Sequence, residues 1–96
     1  MKAILRYHLK LKLYGHYTVE MSIYEVPVSE KYPDGVKYGL ICINDQTRSR
    51  VLLDNHHPKG PHIHLDEIEI SYAFTSEEKL IADFKKLVLE RMGVKL

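Results

Sequence analysis

The sequence predicts an α+β fold: an antiparallel, meander-like sheet of about five strands with one C-terminal amphipathic helix packed on it. Three observations carry that reading. Apolar and polar residues alternate along most of the chain up to Phe74, the two-residue period of strands with one covered face. Turn-forming residues separate these runs at Gly15, at Pro27 to Gly35 and at Asn44 to Thr47. From Ser76 onward the period becomes helical, so strands come first and a single helix follows, the order of an α+β domain.

Taken in order, Leu5, Tyr7, Leu9, Leu11 and Leu13 fall on one face of a first strand and Arg6, His8, Lys10 and Lys12 on the other. That outer face is a basic stripe. Gly15 and His16 form a short turn, because glycine supplies the positive φ that tight hairpins need. Tyr17 to Val26 repeats the alternation with Tyr17, Val19, Met21 and Ile23 inward, which places Glu20 across from Lys10 or Lys12. The segment Pro27 to Gly35, with two prolines and Asp34-Gly35, is a loop and the segment expected to be most mobile. Val36 to Ile43 is a third strand, apolar on both faces and therefore central or covered by the helix, with Cys42 among its inward residues. Arg50 to Asp54 forms a short fourth strand, and His62 to Leu65 resumes the alternation. Glu67 to Phe74 is a last strand or extended segment with Ile68, Ile70, Tyr72 and Phe74 on one face. Thr75 and Glu78 have the spacing of a capping box, Leu80, Ile81, Phe84, Leu87, Val88 and Met92 recur at helical spacing, and Gly93 provides the stop.

At 96 residues the chain (1–96) is expected to form a single domain, just large enough to bury roughly 60–65 % of its unfolded surface. Hydrophobic residues at 45 % and charged residues at 28 % exclude a disordered chain. One cysteine in an apolar run reads as a core thiol in a reducing compartment. No apolar run approaches the ~20 residues of a membrane span, and the N-terminus alternates Leu with Lys where a signal peptide would be continuously apolar. A cytoplasmic protein with no membrane partner is the expectation. The formal net charge of +1 gives no global sign of nucleic-acid binding, so any such binding must rest on local patches.

The densest chemistry lies in the run DNHHPKGPHIH, Asp54 to His64, which holds four of the six histidines. Imidazole ionises nearest neutrality, so several of them beside Lys59 and Asp54 suit proton transfer or metal binding. A polar hairpin connection would collect histidines at a far lower frequency. On a strand, His62 and His64 project from one face about 6.6 Å apart while Ile63 points into the core. Two such groups can cleave an RNA phosphodiester without a metal or other cofactor, one taking the 2′-hydroxyl proton and one protonating the 5′-oxygen, with a cation steadying the phosphorane. In that reading His62 and His64 are base and acid in either order, Lys59 is the electrostatic stabiliser and Asp54 orients an imidazole. His56, His57, Asn55, Arg50 and Arg48 then contact the substrate, and the basic stripe with Tyr14, Tyr17, Tyr24 and Tyr32 offers phosphate and base contacts. The competing chemistry is a metal held by His56, His57, His62, His64 and Asp54, although their spacing matches no zinc motif.

The run DNHHPKGPHIHLD followed by YAFTSEEKLIADF resembles the TumE-like family of small toxins from prokaryotic toxin–antitoxin modules, over nearly the whole chain. The matching positions are Asp54, Asn55, Lys59, Gly60, His62 and His64, then Tyr72 and Phe74, with His56 and His57 ranked below His62 and His64. The resemblance implies a growth-inhibiting toxin acting on RNA and neutralised by a helix-turn-helix antitoxin. The open strand edge and the Pro27–Gly35 loop are the surfaces expected to meet that partner or to pair two copies as a homodimer. The alternative from a different class is a non-catalytic module that holds an anion, a metal ion or a protein partner in the same histidine-rich cleft.

Overall fold

The computed structural model describes residues 3–96. Six strands, β1 (Ile4–Leu13), β2 (Tyr17–Glu25), β3 (Val36–Asn44), β4 (Arg50–Asp54), β5 (His62–Leu65) and β6 (Ile68–Ser71), precede one helix, α1 (Glu77–Met92). The strands form one antiparallel sheet in sequence order, so each pairs with the next and the architecture is the expected meander. The strand beyond the expected five arises because His62–Leu65 and Ile68–Ser71 are separate arms of a hairpin, joined at Asp66 and Glu67 with Asp66 at φ 56°.

Alternation sorts the residues as the period requires. Val19, Met21 and Ile23 of β2, Tyr38, Leu40 and Cys42 of β3 and Val51 and Leu53 of β4 lie on the inner face and are buried. Leu80, Phe84 and Val88, spaced four apart on α1, close over them. Burial pushes the Cys42 thiol up to about 11, as suits an unreactive core residue. The helix packs against β4 and leaves the opposite face of the sheet bare. That bare face is where the histidines stand.

Four details depart from the sequence reading. The β1–β2 register shifts between Leu5 and Tyr7, a bulge that leaves Arg6 unpaired and sets Leu5 opposite Tyr24 on the outer face. Leu5 is consequently exposed, and Arg6 leaves the basic stripe to pair with Glu25 at 3.1 Å and with Glu77 of α1 at 2.9 Å. The first turn centres on Tyr14 and Gly15, both at positive φ, with His16 N–H donating to the Leu13 carbonyl at 3.2 Å. The helix cap is Ser76, one residue after Thr75, its hydroxyl accepting from Lys79 N–H at 3.1 Å. Ile68 and Ile70 lie on the inner side of the terminal strand β6, where α1 does not reach, and both are exposed.

Two polar anchors hold the site end of the sheet. The Tyr72 hydroxyl donates to Asp83 at 2.6 Å and thereby ties the chain leaving β6 to the helix. Asn55, 5 % exposed, accepts from Tyr38 N–H at 2.9 Å and donates to the Val36 carbonyl at 2.7 Å, so its amide stands in for the next residue of the β3–β4 ladder. The Pro27–Gly35 loop is held as well, through Val26 N–H to the Gly35 carbonyl, Gly35 N–H to the Tyr32 carbonyl and the buried Tyr32 ring. Tyr32 therefore belongs to the core and cannot stack on a base.

Replacing Asn55 by Ala leaves one backbone donor and one acceptor buried without partners, each costing ~1–3 kcal/mol. The expected loss is about 2–4 kcal/mol, a fall of roughly 10–20 °C in melting temperature for a domain of this size. Calorimetry giving an unchanged transition would remove the anchoring role.

Candidate functional site

Asp54 ends β4, the loop 55–61 turns, and His62 begins β5 directly opposite Asp54 in the register. The next outer-face pair is Leu52 with His64, and β6 places Glu69 opposite His64 and Ser71 opposite His62. Asp54, His62, His64 and Glu69 thus meet on the bare face, brought together by pairing alone. Gly60, at φ 77°, lets the loop close in a conformation that other residues adopt only with strain. Its N–H donates to the His56 carbonyl at 3.2 Å, and its own carbonyl lies 2.6 Å from His62 Nδ1.

A carbonyl only accepts, so His62 Nδ1 carries a hydrogen. The imidazole side chain is 7 % exposed, and its other nitrogen, Nε2, lies 3.0 Å from Asp54 Oδ1 and 3.8 Å from Glu69 Oε1. The 3.0 Å contact closes no hydrogen bond, and Asp54 Oδ1 is buried with no hydrogen-bond partner. At that separation the shortfall is one of direction: Nε2 does not aim along the line to the carboxylate. His62 is accordingly locked in place, with its Nδ1 proton spoken for.

His64 stands edge-on to His62, ring centroids 4.5 Å apart, and is more open to solvent. Desolvation, reinforced by His62 and Arg50, lowers its pKa below the ordinary imidazole value, while Asp54 and Glu69 pull the other way. Lys59 Nζ reaches Glu69 Oε2 at 3.1 Å, and this bond is the main reason the Glu69 carboxyl sits below its usual range. Both partners are substantially exposed, so the pair is weak and Lys59 can exchange Glu69 for a phosphate at little cost.

Two hollows flank the cluster. One, of 460 Å³, is lined by Lys59, Pro61, His62, Glu69, Ile70 and Ser71. The other, of 210 Å³, is lined by Ser22, Tyr24, Lys37, Tyr38, Gly39, Asp54 and His56. Gly39 faces Asp54 in the register and nothing would meet a side chain there, so its missing Cβ leaves the floor open between β2 and β4.

The structure therefore brings Asp54, Lys59, His62 and His64 together, with His56 at the rim. Arg48 and Arg50 line a separate hollow of 480 Å³ with Thr47, Ser49, Asp66 and Glu67, although Arg50 lies close enough to His64 to act on its charge. His57 is exposed and touches none of these groups through a hydrogen bond or ion pair. Asn55, expected at the substrate, is buried in the ladder instead. The basic stripe is largely compensated, Lys12 by Asp45 at 3.2 Å and His8 by Glu20 at 3.8 Å, while Lys10 faces Glu20 as expected. Glu69 escaped the sequence reading. The alternation of Glu67 to Ser71 puts it on the face opposite Ile68 and Ile70, but only the β5–β6 register brings that face to the histidines.

The tautomer is directly observable. A long-range proton–nitrogen correlation spectrum of the histidine rings should show His62 Nδ1 bearing a hydrogen across the neutral range. A His62 Nδ1 with the shift of a bare ring nitrogen would contradict the Gly60 contact.

No curated protein and no solved structure matches the chain. Among protein families, the one described as Toxin TumE matches residues 2–92, which takes in every strand, the histidine cluster and the helix. The chain belongs to the TumE toxin family, and membership implies an antitoxin partner.

Proposed function

We propose that this toxin cleaves RNA without a metal, and that the Asp54–His62–His64 cluster with Lys59 performs the cleavage. The supporting observation is the division of labour between two adjacent imidazoles: His62 buried and fixed by Gly60, and His64 accessible with its pKa pushed down. A base must be unprotonated at working pH and reach its substrate, and the greater exposure of His64 and the downward push on its pKa support that role.

In this reading His64 takes the proton from a 2′-hydroxyl and the 2′-oxygen attacks the adjacent phosphorus. The bond to the 5′-oxygen breaks, and that oxygen receives a proton from His62, whose Nε2 lies 3.0 Å from Asp54 and 3.8 Å from Glu69. Lys59 leaves Glu69 for the non-bridging phosphate oxygens and offsets the charge that builds on the phosphorane. The products are a 2′,3′-cyclic phosphate and a free 5′-hydroxyl. Arg50 and Arg48 would hold the flanking backbone and His56 a neighbouring nucleotide. A helix-turn-helix antitoxin would neutralise the protein, and the cytoplasm is where RNA and antitoxin are both met. No helix among the described residues is long and apolar enough to cross a membrane.

Two outcomes test this. Purified protein should cleave labelled RNA in excess EDTA to cyclic-phosphate ends, and His64→Ala should lose about 10²–10⁴-fold in rate with an unchanged melting temperature. A folded wild type that leaves RNA intact would favour the binding-module reading. The pH dependence carries a sign: with His64 acting as an unprotonated base of lowered pKa, the acidic limb of kcat/KM should lie below 6.5, the ordinary imidazole value. A limb at or above 6.5 would remove His64 as the base.

A further inference from the structure

The orphaned Asp54 oxygen has a consequence beyond proton transfer. With Nδ1 of His62 donating to the Gly60 carbonyl, neutral His62 presents a lone pair at Nε2, 3.0 Å from a carboxylate oxygen that is buried and accepts no hydrogen bond. Two acceptors at that distance need something positive between them. A proton on Nε2 would serve if it pointed at Oδ1, yet the direction is wrong for a hydrogen bond.

The same geometry suits two ligands of one ion. A zinc-class cation sits about 2.1 Å from an imidazole nitrogen and from a carboxylate oxygen. It lies on the nitrogen's lone-pair axis and therefore off the line joining nitrogen and oxygen. His64 supplies a third donor, and the ligand atoms of Asp54, His62 and His64 all lie within 4.8 Å of one another. The ring N–H of His62 donating to a backbone carbonyl is the outer contact that metal-bound histidines commonly make, because it fixes the tautomer and aims the other nitrogen at the ion. Glu69, with one oxygen 3.8 Å from His62 Nε2, adds negative charge beside the site. The donor set of two nitrogens and one carboxylate suits Zn²⁺, Co²⁺ or Ni²⁺ better than the oxygen-seeking Mg²⁺ or Ca²⁺.

We propose that Asp54, His62 and His64 bind one zinc-class divalent cation, and that its binding silences the toxin by occupying the imidazole nitrogens needed for proton transfer. The silencing half rests on the cleavage reaction proposed above, and the binding half does not. Metal-free protein would be the active form, and the ion an inhibitor competing for the lone pairs of His62 and His64. Neither His56 nor His57 takes part.

The test uses the full chain without an affinity tag, stripped of metal and titrated with Co²⁺, whose visible absorption reports nitrogen and oxygen ligation. One equivalent should develop the band, and Zn²⁺ should abolish it by displacement. His64→Ala and Asp54→Asn should each weaken Co²⁺ binding by roughly tenfold or more, while the His56→Ala/His57→Ala double variant binds as tightly as wild type. Zn²⁺ should also raise the melting temperature of wild type and not that of His64→Ala, which separates ligation from any loss of fold. The absence of a Co²⁺ band and of a Zn²⁺-dependent thermal shift would overturn the site, as would binding that survives His64→Ala and vanishes in the His56/His57 variant. In the RNA assay, Zn²⁺ should stop cleavage and EDTA restore it. Cleavage that Zn²⁺ accelerates would overturn the silencing. Cleavage absent from folded, metal-free protein would defeat the proposed reaction and with it the silencing, while the Co²⁺ titration would still decide the binding half.

Discussion

The site depends on the direct opposition of Asp54 and His62 across the β4–β5 ladder. A shift of one residue in that pairing would turn His62 and His64 to the inner face and bring Ile63 and Leu65 out to solvent. Burial of Leu65, Leu53 and Val51 on the inner side resists that slip. The hydrophobic core therefore fixes the geometry of the polar face. Asn55 strengthens the same constraint, since its two backbone bonds extend the β3–β4 ladder up to the first residue of the loop.

A single helix explains why the histidine face is open. Leu80, Phe84 and Val88 give α1 one apolar stripe, which packs on one side of the sheet and stops short of β6. The other side stays uncovered by the helix. Its cation content is modest, because His8 and Lys12 each face an acidic neighbour and Arg6 is drawn away to Glu25 and Glu77. Affinity on this face would have to come from Lys59, Lys37, Arg50 and Arg48 near the cluster rather than from a uniform basic surface. Lys59 and Lys37 line the two hollows beside the cluster, and Arg50 and Arg48 the separate one.

Much of the fold was legible because alternation and helical spacing are local properties. The strands, the helix from Glu77 to Met92, its stop at Gly93, buried Cys42 and the shared face of His62 and His64 all follow from period and punctuation. What was not legible depended on contacts distant in sequence. The bulge at Arg6 leaves the alternation of Leu5 to Leu13 intact in the chain, and only the pairing with β2 and the pull of Glu77 reveal it. Asn55 looks like any polar loop residue until β3 lies beside it. Glu69 and Lys59 are ten residues apart and meet because β5 and β6 fold back as a hairpin. Tyr72, placed by alternation on one face with Ile68, Ile70 and Phe74, gives its hydroxyl to Asp83, eleven residues on and across a turn into the helix.

In the proposed cleavage His64 would be the accessible base and His62 its buried, fixed companion. Chemical rescue tests the distinction most directly: free imidazole added to His64→Ala protein during RNA cleavage. Cleavage should return in proportion to imidazole concentration, because the vacated position opens to solvent, and rescue of His62→Ala, whose ring site is enclosed, should be far weaker. Equal rescue of both variants, or none for His64→Ala despite an intact fold, would contradict that distinction.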